Sequence, residues 1–112
     1  MIAKALTFTV VIVTYNRIKL LKECLERVEN QTSCVESIVI VNNNSQDGTT
    51  EYLATLVENR KYHIVNLHEN MGGAGGFYYG VKEALSCSGE WILLIDDAVS
   101  YTHLTLPTMA VV

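Results

Sequence analysis

Three polar clusters in this chain each stand where an apolar run stops, and their side chains are of the kinds that hold a charged, hydrogen-bonding ligand. Thr14-Tyr15-Asn16-Arg17 follows Phe8 to Val13, Asn42-Asn43-Asn44-Ser45-Gln46-Asp47-Gly48 follows Ile38 to Val41, and Asp96-Asp97 follows Trp91 to Ile95. If the apolar runs are strands of an open parallel sheet, the clusters meet in the crevice beyond the carboxyl ends of those strands, where such sheets bind ligands. Adjacent carboxylates hold hard divalent cations beside phosphates, so the trio points to a nucleotide–metal site. Asp96-Asp97 also has a plainer reading, as solvated loop carboxylates capping a turn. Two carboxylates after a buried strand are costly to leave unpaired, however, and a cation removes that cost. The asparagine run is either Asx-turn chemistry or a set of amides that donate and accept at once, which suits the imide edge of a pyrimidine. Asp47 fits a helix cap better than a ligand.

The glycine-rich stretch Gly72-Gly73-Ala74-Gly75-Gly76 has two readings as well. It is a helix entry that allows close backbone packing, or a wall against which a sugar diphosphate lies on helix N-terminal amides. It is not the dinucleotide fingerprint, because Tyr78 stands where the third glycine belongs and the stretch follows the third strand rather than the first. His63, His68 and His103 show no metal-ligand spacing and read as ordinary strand or loop residues. No Ser or Cys has a visible activating partner, so nucleophilic catalysis finds no support.

The elements that must position these groups alternate. Phe8 to Val13 is β-branched and continuous, as a strand covered on both faces should be, and this reading is favoured over a signal peptide. Leu20, Leu21, Cys24, Leu25 and Val28 recur at helical spacing, with Asn16 as the expected N-cap. Ser37 to Val41 reads as the second strand, followed by a short helix with Tyr52, Leu53, Leu56 and Val57 on one face. Tyr62 to Leu67 reads as a third strand near a sheet edge, because it is more polar. The glycines then open a third helix carrying Phe77, Val81, Ala84 and Leu85, expected to end at Gly89, and Trp91 to Ile95 forms the fourth strand. Such alternation implies an α/β domain with a parallel sheet and helical crossovers.

The bulk properties narrow the function. The 112 residues suffice for one small domain and one core. Hydrophobic residues make up 49%, too many for a disordered chain. A formal charge of −4 with no basic patch argues against nucleic-acid binding through phosphates. No apolar run approaches the roughly 20 residues of a membrane span. Cys24, Cys34 and Cys87 are scattered and form no C-x-x-C pair, so they read as reduced thiols of a cytosolic protein rather than a zinc site.

Taken together, these segments resemble the glycosyltransferase family 2 domain of the GT-A fold, over about Phe8 to Asp97. Val11 to Arg17 looks like the family's opening strand and nucleotide loop, and Ile40 to Thr49 like its V-[DN]-[DN]-x-S-x-D-G-T segment. Asn70-Met71-Gly72-Gly73-Ala74-Gly75-Gly76-Phe77 is similar to the N-x-G-G-A-G-G-F segment of a galactofuranosyl- and rhamnosyltransferase-like branch, and Trp91 to Asp97 resembles the strand leading to the metal-binding D-x-D. The resemblance implies an α/β, parallel-sheet, nucleotide-binding half of a GT-A (Rossmann-like) fold. It implies that Thr14, Tyr15, Arg17, Asn43 and Asp96 bind the nucleotide, with Asn43 facing the base edge and Asp96 the ribose. Asn70, Gly72, Gly73, Gly75 and Gly76 would wall the donor pocket, and Asp96 and Asp97 would hold a divalent cation, Mg2+ or Mn2+. It further implies transfer, with inversion, from UDP-galactofuranose or a dTDP-rhamnose to a glycan or lipid-linked glycan acceptor. The location implied is the cytoplasm, or the inner face of the membrane for a full-length protein.

This branch commonly reads D-D-D, and Ala98 stands in the third position. The family's acceptor half and catalytic base lie downstream of the metal motif. Residues 98–112 contain no Asp or Glu and resemble translated adaptor sequence. The expectation is therefore a family region at 1–97, a foreign, poorly ordered tail at 98–112, and a donor-binding fragment that is itself inactive. The competing expectation is a non-catalytic nucleotide-binding or interaction module.

Overall fold

The computed structural model describes residues 7–31 and 35–97. Within them the chain runs β1 (Phe8–Thr14), α1 (Ile18–Gln31), β2 (Val35–Asn42), α2 (Thr49–Ala54), β3 (Tyr62–Asn66), α3 (Gly72–Ala84) and β4 (Trp91–Asp96). The four strands form one sheet in the order β3-β2-β1-β4, parallel at every pairing. The expected four-strand parallel α/β core is present, and β3 does lie at an edge.

Successive residues of a strand face opposite sides of the sheet, and the buried ones divide accordingly. Val10, Ile12, Ile38, Ile40, Leu93 and Ile95 meet Leu21, Cys24, Leu25 and Val28 of α1 and Leu53 of α2. Val11, Val39, Val41 and Ile92 meet Ala84 of α3, with Val13, Val65, Phe77 and Val81 packed around them. Both faces are therefore covered, which is why β1 and β2 read as unbroken apolar runs. Fully burying such a side chain is worth roughly 1.5–3 kcal/mol each.

The helices correct several expectations. Asn16 is not the N-cap of α1: its φ of 50° is left-handed, a conformation that asparagine tolerates better than most residues. The first helical N–H, that of Ile18, is instead capped from another loop by Asp47 Oδ2 at 3.0 Å. Leu20 is exposed, because the helix turns it away from the face carrying Leu21 and Cys24. Val57 lies beyond the short α2, and Leu85 just past α3, so both point to solvent. The buried stripe of α3 is Gly76, Gly80 and Ala84. With so little side chain between them, helix and sheet come close together. Helix α3 ends at Ala84, well before Gly89, which passes instead against β1 at Thr9.

Strand β1 sits between β2, which leads away to β3, and β4, which returns on its other side. That reversal of direction opens a crevice at the carboxyl ends of β1 and β4.

Candidate functional site

A cavity of about 260 Å3 lies at that crevice, lined by Val13, Thr14, Tyr15, Arg17, Asn43, Asn70, Gly72, Gly73, Phe77, Asp96 and Asp97. All three polar clusters thus converge in one place. The volume is just below the range of about 300–1,000 Å3 typical of small-molecule sites.

The first two loops are laced together. The Asn16 N–H donates to Ser45 Oγ at 3.0 Å, and the Gln46 N–H donates to Asn16 Oδ1 at 2.6 Å. Asp47 Oδ2 receives the Ile18 N–H at 3.0 Å, while its Oδ1 receives the Thr49 hydroxyl at 2.6 Å and the Thr49 N–H at 3.2 Å. One carboxylate therefore caps the starts of both α1 and α2, in keeping with its reading as a cap. What burial it has pushes its carboxyl up, but the hydrogen bonds from Thr49 and Ile18 prevail and hold it below the ordinary range. Asn42 is also structural. Its amide donates to Thr50 Oγ1 at 2.8 Å and Asn66 Oδ1 at 3.0 Å, and its oxygen accepts the Ser45 N–H at 3.0 Å.

This lacing presents Tyr15 and Arg17 to the cavity. Tyr15 is exposed. Arg17 Nη1 lies 3.3 Å from Asp97 Oδ1 and 3.9 Å from Asp96 Oδ1. The two carboxylates differ sharply: the Asp97 side chain is 1% exposed and that of Asp96 57%. Burial pushes the Asp97 carboxyl up. The Thr14 hydroxyl and the Arg17 guanidinium pull it back, and Asp96 adds a smaller upward push. Thr14 Oγ1 approaches without closing a well-formed hydrogen bond, so it and Asp97 Oδ2 are buried with no partner among the described residues.

An orphaned carboxylate oxygen beside a second carboxylate fits a hard cation. Among the described residues no group of three or more His, Cys, Asp or Glu could enclose one. The site therefore suits an ion held by one or two carboxylates and completed by water and a substrate's phosphates, which is the habit of Mg2+. Asp96 and Asp97 are the residues that would hold it.

The expected donor wall is only partly there. Asn70, Gly72 and Gly73 line the cavity, and a Cβ on Gly72 or Gly73 would meet nothing within 4 Å. Gly75 and Gly76 do not line it. Gly75 turns toward Met71, and a Cβ on Gly76 would lie 2.6 Å from Val13 Cγ1, so that glycine is a packing contact. Asn43 lines the cavity, but its carboxamide is engaged with backbone rather than turned outward. Its Oδ1 accepts the Met71 N–H at 3.0 Å, and its Nδ2 donates to the Gly72 carbonyl at 3.1 Å. Val13 and Phe77 were not foreseen as site residues. Periodicity assigns both to the core, and only their positions at a strand end and a helix start bring them to the rim. Ala98 and the tail expected to be foreign lie outside the described residues, as do Cys34 and His103. Cys24 and Cys87 are free thiols. No helix among the described residues is long and apolar enough to cross a membrane.

A parallel sheet with its cavity at the switch point and acidic residues on the last strand defines an α/β domain of the GT-A type. The sequence model of glycosyl transferase family 2 matches residues 9–110, and the chain belongs to that family. The match continues past Asp97 into the segment set apart above as foreign. The chain is 36% identical over 102 residues to the uncharacterized glycosyltransferase YwdF of Bacillus subtilis, covering 91% of this chain and 36% of that protein. It is 32% identical over 87 residues to the galactofuranosyltransferase GlfT1 of Mycolicibacterium smegmatis, covering 78% of this chain and 28% of that one. Among solved structures, the mannosyltransferase PcManGT of Pyrobaculum calidifontis, in complex with GDP-Man and Mn2+, superposes with a TM-score of 0.71 at 24% identity. That match covers 85% of this chain and 28% of the other, and it shows the shared fold. The chain thus spans about a third of the length of the curated relatives it matches.

Proposed function

We propose that this chain is the donor-binding part of an inverting glycosyltransferase that uses a nucleoside-diphosphate sugar and a divalent cation. The observation that carries the reading is the convergence of Arg17, Asp96 and the buried, half-orphaned Asp97 in one cavity at the β1–β4 switch point. Tyr15 offers an exposed ring to the base, and Val13 and Phe77 give the cavity an apolar floor. Gly72 and Gly73 lack the Cβ atoms that would keep a diphosphate or sugar from the start of α3. Arg17 stands within reach of phosphate charge while screening Asp97 from Asp96. Asp96 and Asp97 would hold the cation, which would supply Lewis-acid stabilisation of the charge on the leaving nucleoside diphosphate. The favoured donors are UDP-galactofuranose and dTDP-rhamnose, supported by the N-x-G-G-A-G-G-F segment and by the likeness to GlfT1. A cell-surface glycan, free or lipid-linked, is the favoured acceptor, and the cytoplasm or the inner face of the membrane the favoured location.

Calorimetric titration with UDP, dTDP and GDP, each with Mn2+, with Mg2+ and with chelator, tests the reading. A nucleoside diphosphate should bind more tightly with the cation, and replacing Asp96 and Asp97 together by alanine should remove that cation-dependent part. Equal affinity with chelator and in the double variant would sink the metal site.

A further inference from the structure

We infer that Asn43 is a positioning residue that clamps the start of α3 to the end of β2, and that the clamp requires an amide rather than a carboxylate at this position. The inference rests on the donor-site reading for its consequence but not for its geometry.

Asn43 joins three elements. Its backbone N–H donates to the Thr14 carbonyl at 2.9 Å, fixing it to the end of β1. Its side chain, 2% exposed as a residue, reaches across to the chain entering α3. There the oxygen takes the Met71 N–H and the nitrogen gives to the Gly72 carbonyl. The two bonds run in opposite directions to adjacent residues, and only a group that both donates and accepts can make them together.

That segment needs an anchor. Gly72, Gly73, Gly75 and Gly76 are four of the first five residues of α3, and glycine is the weakest helix former after proline. Met71, which precedes the helix, makes no side-chain cap, and Gly72 has a left-handed φ of 74°. Asn70 Oδ1 holds the Gly72 N–H at 2.8 Å, so it orders the turn locally without tying it to the sheet. Gly76 completes the clamp from the helix side: a Cβ there would sit 2.6 Å from Val13 Cγ1 and 3.3 Å from Asn43 Nδ2. Asn43 and Gly76 thus fit one another, and together they set where Gly72, Gly73 and Phe77 meet the cavity.

A carboxylate at position 43 has the same shape but the wrong chemistry. It would still accept the Met71 N–H, yet its second oxygen would face the Gly72 carbonyl, acceptor against acceptor and buried. Water cannot readily relieve that repulsion.

The test compares wild type, Asn43→Asp and Gly76→Ala by native-state hydrogen exchange, and in parallel by titration with UDP, dTDP and GDP in Mn2+. Both variants should raise exchange of the amides of residues 71–77 by about tenfold or more relative to those of α1, because a buried mismatch loosens the clamp locally. Nucleotide affinity, where wild type binds, should fall in step. Unchanged exchange at 71–77 in both variants would overturn the inference. So would a loss of affinity in Asn43→Asp with α3 unaffected, because that result would mark Asn43 as a direct reader of the base. If wild type binds none of the three nucleotides, the donor reading fails while the exchange arm still decides the clamp.

Discussion

Replacing Arg17 with alanine should destabilise the chain in a way that depends on the charge of Asp97. The guanidinium lies 3.3 Å from Asp97 Oδ1. Unit charges at that distance attract by about 5 kcal/mol at an effective dielectric of 20, and by about 1 kcal/mol in water. The Arg17 side chain is 48% exposed, so the interaction lies toward the weaker limit, and water entering the vacated space rehydrates part of Asp97. A loss of about 1–2 kcal/mol at pH 7 follows, well short of the 3–5 kcal/mol for stripping a fully buried pair. That corresponds to a Tm lower by roughly 4–16 °C for a domain of this size. The pH dependence carries the diagnosis. Burial raises the folded-state pKa of Asp97 above the ordinary value of about 3.9, so the folded chain holds this proton more readily than the unfolded one. Ionising Asp97 therefore costs stability, a cost absent below about pH 4 and growing as pH rises through the raised value. Arg17 offsets part of that cost, so wild type and Arg17→Ala should converge near pH 4 and separate toward pH 7. Urea denaturation across that range measures the difference. A gap at pH 4 as large as that at pH 7 would mean that Arg17 acts through packing rather than charge, and the electrostatic account of the site would fail.

Gly80→Ala should destabilise by about 1–3 kcal/mol in chemical denaturation, because its Cβ would collide with Val11 and press on Val41. Gly73→Ala, which meets no atom within 4 Å, should instead preserve or raise stability through better helix propensity while lowering nucleoside-diphosphate affinity by calorimetry. Asp47→Ala should cost about 1–2 kcal/mol, since it uncaps two helices at once. The depressed carboxyl of Asp47 contributes stability above about pH 4 that is lost as pH falls through its folded value, so the gap to wild type should close in acid. A gap unchanged between pH 7 and pH 3 would refute the charged-cap account.

The strands were legible because covering both faces of a sheet demands unbroken apolar, β-branched runs, and those of β1 and β2 are plain. The convergence of the three clusters was legible for a topological reason: parallel strands end on the same side. Exposed helix edges were not. Leu20, Val57 and Leu85 satisfy an apolar period, yet they lie one position off the buried face or past the helix end, and a period read without its boundaries does not show that. Asn16 read as a cap because it is a good capping residue placed before a helix. The group that caps Ile18 comes from Asp47, 29 residues away, and no local pattern reports a long-range partner. The glycines misled in the opposite sense. Two of the four expected to wall the donor pocket sit elsewhere, one of them, Gly76, in packing, and the stripe Gly76-Gly80-Ala84 carries the helix on the sheet.

What separates structural from ligand-facing polar residues in this site is whether each one's hydrogen-bonding capacity is already used. Asn42, Ser45 and Asp47 are committed to backbone and side-chain partners within the two laced loops, and Asn43 is committed to α3. The clusters that announce the site in sequence are thus mostly its scaffold. The proposed donor site rests instead on the Tyr15 ring, the Arg17 guanidinium, the carboxylate of Asp96 and the oxygen of Asp97 that is buried with no partner among the described residues. A buried polar atom left unmatched costs about 1–3 kcal/mol, more when charged. Asp97 Oδ2, like Thr9 Oγ1 and Thr14 Oγ1 among the described residues, is thus a point at which the fold sacrifices stability, and a cation at that oxygen would recover its share of the loss. A divalent ion should therefore stabilise the folded chain as well as promote nucleotide binding. The Tm in Mn2+ should exceed that in chelator, by a margin that vanishes in Asp97→Asn. A margin that survives that substitution would place the ion elsewhere.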